Sequence, residues 1–328
     1  MVRIFVYESL SAAAAPDGLD HDLLAAGVAM RDAIVDDLLR LDGVAVTCAV
    51  GAPGNGMARD RCAANLATAV ARTGEDAASF VARMAAAHDL SWIVAPETGG
   101  ELARLHAAVG EDRWIGCDAA SIRCAASKRA TLAVLAAAGV PTPLDGAARH
   151  RGRWIVKPDD GAGCLSTRVH GDRAAALSAI ARDPVHGGAL APEPFIEGEA
   201  LSISMIVGAE LASVVSFNRQ RIEIDAAGRL CDRGVQAAAL AVGTDPRIAG
   251  LEAIAAATAR ALPGLGGFVG IDVVWNEERG AVVIEVNPRV TCAYVGLSGK
   301  LGRNLAADIL HLRAPGTAIR ESRDGVRA

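Results

Sequence analysis

Residues 267–291 read GFVGIDVVW, NEERG, AVVIEVNPRVT: two β-branched runs joined by a polar turn. Strand side chains alternate between faces, so Glu285, Asn287 and Arg289 point the same way. With Asn276 paired to Ala281 across a four-residue loop (277–280), Asp272 sits directly opposite Glu285. Like charges facing each other across a ladder repel, and desolvation inside an apolar sheet adds to the cost. Val273, Val274, Val283 and Val286 give the hairpin the look of an element buried on both faces. Such a pair needs a cation. The competing reading is an exposed hairpin whose polar face meets water. Two carboxylates and the Asn287 amide oxygen, without histidine or thiolate, suit Mg²⁺ or Mn²⁺ rather than zinc. Mg²⁺ held by few protein ligands completes its shell with water and substrate phosphates.

Phosphate would need positive charge and backbone donors. Lys157 ends a strand just before Pro158 and the loop DDGAGC, in which Gly161 and Gly163 allow backbone N–H groups close to an anion. No G-x-x-x-x-G-K-[ST] occurs, and a strand follows the loop, so it is not a Walker A loop. Taken alone, the loop reads equally as a hairpin turn, and Lys128, at a helix start, as a solvated lysine. Asp159 and Asp160 are the local carboxylates with which Lys157 could pair.

The 328 residues have room for two or three domains, and the net charge of −5 gives no electrostatic reason to expect nucleic acid or an anionic membrane as partner. Seven scattered cysteines without a C-x-x-C pair suit a reducing cytoplasm and argue against a disulfide framework or a structural zinc site. No apolar run approaches the ~18 residues of a membrane helix. The N-terminal MVRIFVYE reads as a first buried strand rather than a signal peptide, because its apolar core is short and Glu8 interrupts it.

Strand-like segments at 2–7, 44–50 and 92–95 alternate with amphipathic helices at 23–41 and 75–87, the pattern of a parallel sheet covered by helices. Ligands of such sheets bind beyond the carboxyl ends of the strands. YES (7–9) and PETGG (96–100) lie there, and Glu97 reads either as a ligand contact or as a solvated carboxylate. A helix at 127–138 is closed by Gly139. A strand, the glycine loop and a second strand come next, followed by a helix at 172–182, strands within 190–207 and 210–224, and helices at 247–262 and 300–312. The polar tail after Pro315 reads as disordered.

A lysine at a helix start, a strand-end lysine with a glycine loop, EPFIEGE, then Asp…Glu-x-Asn-x-Arg occur in that order. The chain from about residue 128 to 289 resembles the ATP-grasp superfamily of carboxylate–amine ligases. The resemblance implies an α/β N-terminal domain (1–120), then an α+β ATP-grasp fold whose small lid subdomain (121–192) and C-terminal subdomain (193–314) clasp ATP, and a tail (315–328). It further implies that Lys128, Lys157 and the Gly161–Gly163 backbone meet the phosphates. Glu193 and Ile196 would meet the adenine edge through backbone groups with Phe195 packed nearby, and Glu199 the ribose. Asp272, Glu285 and Asn287 match metal ligands, and Arg289, acting with Lys157 in catalysis, the arginine that steadies the transferring phosphoryl group. A homodimer is the assembly it implies.

Two departures stand out. Ser127 replaces the aspartate that commonly precedes the first lysine. Gly270 stands where D-alanine–D-alanine ligases carry arginine, leaving Arg219 in SFNRQRI as a substitute phosphate or substrate contact or as a solvated strand residue. Within the superfamily, FVYES, IVAPETGG, EGEALSISMIVG, SFNRQ and IEVNPRVTCAYVGL resemble the tyramine–L-glutamate ligases of methanofuran-type cofactor synthesis. That implies the γ-carboxyl of glutamate and the primary amine of tyramine, or of a related amine, as small-molecule substrates. The alternatives are an ATP-grasp ligase with a different amino acid and amine, or a nucleotide-responsive binding module without turnover. A nicotinamide dehydrogenase is disfavoured, since no G-x-G-x-x-G opens a helix after the first strand.

Overall fold

A computed structural model describes residues 1–13, 21–51, 63–161, 163–183, 189–313 and 320–321. Strands β1 (Val2–Glu8), β3 (Val44–Ala49), β4 (Leu66–Ala69), β5 (Leu90–Val94) and β6 (Trp114–Ile115) form a parallel sheet in the order β4-β3-β1-β5-β6. Alternation along β1 explains its two covered faces. Ile4 and Val6 pack with Ile34, Val35 and Leu38 of the helix His21–Leu39. Phe5 and Tyr7 face Phe80 and Val81 of Ala77–Ala86, and Leu102 and Leu105 of Glu101–Val109. The two-residue strand β2 (Leu41–Asp42) pairs with Arg320 and Glu321, so that part of the expected tail is ordered, because backbone pairing holds it; residues 315–319 and 322–328 lie outside the described residues.

The central part of the chain builds a small antiparallel sheet, β8-β7-β9, from β7 (Trp154–Pro158), β8 (Arg168–His170) and β9 (Leu190–Pro194). A larger antiparallel sheet follows, in the order β12-β11-β10-β13-β14: β10 (Glu199–Val207), β11 (Ala212–Ile224), β12 (Leu230–Gln236), β13 (Gly267–Asn276) and β14 (Gly280–Asn287). One face is apolar throughout: Leu201, Ile203, Ile271, Val273 and Val283 pack with Leu251, Ile254 and Ala255 of the helix Ile248–Ala261. The other face divides. At one end Ile206 and Phe268 meet Tyr294 and Leu305. At the other, Ser202, Asp272 and Glu285 form one cross-strand row, with Ser204, Gly270 and Asn287 in the next. The site occupies the polar end.

The helix Leu305–Arg313 shares a core with the helix His21–Leu39, so the last helix packs on the first domain. Asp37 pins that contact. It accepts hydrogen bonds from Tyr294 Oη at 2.7 Å and Ser298 Oγ at 2.5 Å, while its carbonyl accepts from Asn304 Nδ2 at 2.8 Å. Burial pushes its carboxyl above the usual range despite those donors. No helix among the described residues is long and apolar enough to cross a membrane.

Candidate active site

The expected pairing of Asp272 with Glu285 is present, but the route to it differs. The turn is shorter than the four-residue loop expected: Asn276 pairs with Gly280, whose φ of 71° takes the left-handed position that closes a three-residue hairpin loop. From there Val274 meets Val282 and Val273 meets Val283. A bulge at Ile284 then shifts the register by one, restoring Asp272 opposite Glu285 and placing Gly270 opposite Asn287. The bulged Ile284 carbonyl faces Lys157, whose Nζ lies 3.5 Å away.

Asp272 is half-buried. Its carboxylate accepts from Gln220 Nε2 at 3.0 Å and from Asn287 Nδ2 at 3.2 Å. Burial first, and the Glu285 charge second, push its carboxyl up to about 7. That is the mark of a carboxylate whose counter-ion the protein does not itself supply. Among the described residues no three His, Cys, Asp or Glu side chains come together as a metal cluster. The donor set is therefore Asp272, Glu285 and, once its amide turns over, the Asn287 oxygen, with water and phosphate left to complete an Mg²⁺ shell. These residues fit a hard divalent cation.

Lys128 begins the helix Lys128–Ala137, whose N-cap is Ser127. The Ser127 hydroxyl accepts from Ala130 N at 3.1 Å and donates to Asp159 Oδ2 at 2.7 Å, while Arg129 N donates to Asp159 Oδ1 at 2.9 Å. Asp159 thus brings a carboxylate to the helix start where Ser127 has replaced one, and despite burial these donors hold its carboxyl below the usual range. Lys128 is not solvated: it is 7% exposed, its Nζ lies 3.0 Å from Glu285 Oε1, and it donates to the Gly161 carbonyl.

Lys157 pairs neither with Asp159 nor with Asp160. Its partner is Glu193, at 2.6 Å, on the neighbouring strand β9, and both are buried. Burial raises the Glu193 carboxyl above its ordinary value, with Lys157 pulling the other way. In the glycine loop a Cβ on Gly161 would meet Pro158 at 2.8 Å, and Gly163 has a φ of 65°. Cys164 and Ser166 also take positive φ, strain of a kind that collects at binding loops. Ala162 lies outside the described residues.

Ile196 is buried beside half-buried Phe195, whose ring carries the Arg153 guanidinium at 4.5 Å. Glu199 pairs with Arg219 at 2.5 Å and with Arg247. Arg219 is thus a partner of the expected ribose carboxylate. Glu97 is neither solvated nor open to a ligand: it is buried, and its carboxylate takes Arg289 Nε at 3.0 Å and Nη2 at 3.1 Å. Burial would lower the Arg289 pKa; Glu97 outweighs it and holds the guanidinium above its ordinary value. A Cβ on Gly270 would meet Thr291 Cγ2 at 2.7 Å, so Thr291 fills the space that an arginine there would need.

Sequence reasoning missed Gln220 on Asp272, Arg247 on Glu199 and Asp159 on Ser127. Gln220 was within reach, since Asn218 and Gln220 share a strand face. Arg247 sits at a helix start with no pattern to mark it. Asp232 on β12 raises the pKa of both Asp272 and Cys164, and it too carried no motif.

The pre ATP-grasp 3 domain family matches residues 57–122, and the ATP-grasp domain family matches residues 125–293, more than half the chain. The chain belongs to the ATP-grasp family. A solved ATP-grasp superfamily protein from Archaeoglobus fulgidus superposes with a TM-score of 0.67 at 20% identity, covering 94% of this chain and 88% of that one. The L-amino acid ligase from Bacillus licheniformis superposes with a TM-score of 0.66 at 16% identity, covering 96% of this chain and 74% of that one. Both likenesses concern the ATP-grasp fold. Among curated proteins, tyramine–L-glutamate ligase of Methanocaldococcus fervens is 34% identical over 113 residues. That match spans about a third of each chain, 32% of either.

Proposed function

We propose that this ATP-grasp chain is an ADP-forming carboxylate–amine ligase. The reading assigns it the γ-carboxyl of L-glutamate and the primary amine of tyramine, or of a related tyrosine-derived amine, in methanofuran-type cofactor synthesis. One observation carries the ligase class: a half-buried two-carboxylate face, Asp272 opposite Glu285, short of a cation and lying beside Lys128 and Lys157. The partial identity to tyramine–L-glutamate ligases supports the substrate pair.

When bound, Mg²⁺ at Asp272, Glu285 and Asn287 would neutralise phosphate oxygens of ATP. Each of the three site cations already has a carboxylate partner: Lys128 with Glu285, Lys157 with Glu193, Arg289 with Glu97. Phosphates entering the site draw on Lys128 and Lys157, whose ammonium groups can swing toward them. Arg289, fixed by a two-point contact, presents its remaining donors to the transferring phosphoryl group. A carboxylate oxygen of the amino acid attacks the γ-phosphorus as the bond to the ADP oxygen breaks, giving an acyl phosphate. The amine nitrogen then attacks the acyl carbon, the C–O bond to phosphate breaks, and the surplus amine proton leaves to solvent or phosphate.

Incubation with ATP, Mg²⁺, L-glutamate and hydroxylamine should give a γ-hydroxamate and ADP, and Arg289→Ala should slow it by about 10²–10³-fold. Release of AMP and pyrophosphate would overturn the ligase class. Hydroxamate from another amino acid, but not from glutamate, would keep the class and replace the acyl donor. A screen of primary amines tests the acceptor.

A further inference from the structure

The loop 96–100 follows β5 of the N-terminal sheet, yet its polar groups bond to the ATP-grasp part of the chain. Glu97 holds Arg289 at two points, 3.0 and 3.1 Å. Next to it, Thr98 Oγ1 donates to the Asp160 carbonyl at 2.8 Å, and Gly99 N donates to Asp160 Oδ2 at 2.9 Å. Asp160 lies in the glycine loop. One short loop therefore binds both the arginine and the glycine loop, and left-handed Gly99 and Gly100 (φ 61° and 71°) shape the turn that allows it.

An arginine side chain free to rotate loses much of its rotamer entropy when it is placed against a transferring group. A planar carboxylate bonded to two guanidinium nitrogens fixes both the position and the plane of the fork before substrate arrives. Arg289 Nη1 donates to the Val290 carbonyl at 3.2 Å, so the backbone completes the clamp. Glu97 is buried and Arg289 largely so, with side chains 6% and 13% exposed, and water therefore does little to weaken the contact.

We propose that Glu97 is a positioning residue for phosphoryl transfer, acting through Arg289, and that loop 96–100 brings the N-terminal domain into the reaction without touching the nucleotide. This rests on the reading of Arg289 given under Proposed function.

Glu97→Gln keeps the shape and one acceptor while removing the charge and the second acceptor. Misplacing a catalytic group by an ångström costs about 10²-fold, so kcat for ADP-forming hydroxamate synthesis should fall about that far, with KM for ATP within about twofold. Glu97→Gln in an Arg289→Ala background should be no slower than Arg289→Ala alone. Glu97→Asp, which keeps the charge and withdraws the carboxylate by one methylene, should show the same kcat-against-KM split and serves if the glutamine variant does not fold. Losses that multiply in the double variant, or a lowered melting temperature with kcat intact, would overturn the positioning role and leave the ligase reading standing. Calorimetry with MgADP, alone and with aluminium fluoride as a mimic of the transferring phosphoryl group, separates the two ideas. If the parent releases no ADP with any acyl donor, the ligase reading fails. The positioning role then stands only if the parent's added affinity for the fluoride complex is lost equally in Glu97→Gln and Arg289→Ala, and it falls if Glu97→Gln retains that added affinity.

Discussion

Replacing Asp272 by Asn should stabilise the metal-free protein at neutral pH while removing its response to Mg²⁺ and ATP. An aspartate in the unfolded chain releases its proton near pH ~3.9, whereas Asp272 in the folded protein holds its proton up to about 7. Between those values the native state binds more protons than the unfolded one, so this group lowers stability as pH rises. The full cost is in place above the folded value. Three pH units at ~1.4 kcal/mol each set that cost on the order of 4 kcal/mol. The amide of the Asp272→Asn variant does not titrate and has no such window. It can still accept from Gln220 and, with the Asn287 amide turned over, donate to its oxygen, so both contacts survive. In urea melts with EDTA from about pH 4.5 to about pH 8, the parent should lose stability relative to Asp272→Asn by up to that amount. Mg²⁺ with ATP at about a hundred times Kd should then restore about 2.7 kcal/mol to the parent and nothing to the variant. Parallel pH–stability curves for the two proteins in EDTA would refute the buried-charge account of this face.

Lys157→Ala should weaken ATP more than adenosine in calorimetric titration, since the lost charge acts on phosphate; equal losses would assign Lys157 to its Glu193 pair alone. Asp37→Ala leaves Tyr294 Oη and Ser298 Oγ without their acceptor; a loss of about 3 kcal/mol in chemical denaturation is expected, with hydrogen exchange rising first in the helix Leu305–Arg313. Gly270→Ala pushes a methyl against Thr291 Cγ2, an overpacking cost of about 1–3 kcal/mol that Thr291→Ser in the same chain should largely relieve. A Gly270→Ala variant as stable as the parent would show that Thr291 does not hold that space.

How the site could be anticipated, and where anticipation stopped, follows from the range of the forces involved. Alternation of apolar and polar residues is local, since it depends only on the strand period, and it placed Asp272, Glu285 and Asn287 on one face before any fold was known. Even there the expected loop was one residue too long, and the bulge at Ile284 cancelled the error; both depend on packing that neighbours in sequence do not report. The parallel sheet under two helical layers was legible in the same way, from runs such as the one around Ile4 and Phe5. Ion-pair partners were not. Lys157 had two aspartates within three residues and took Glu193, because β9 lies alongside β7 while helix and loop donors had already claimed Asp159 and Asp160. Arg289 and Glu97 are 192 residues apart, and Asp37 and Tyr294 257. A charge chooses its partner by distance and by the loss of water around it, and both are set only when distant strands pair and the domains pack together. The residue types of the site are written in the strands; which carboxylate neutralises which cation is decided by the assembled core.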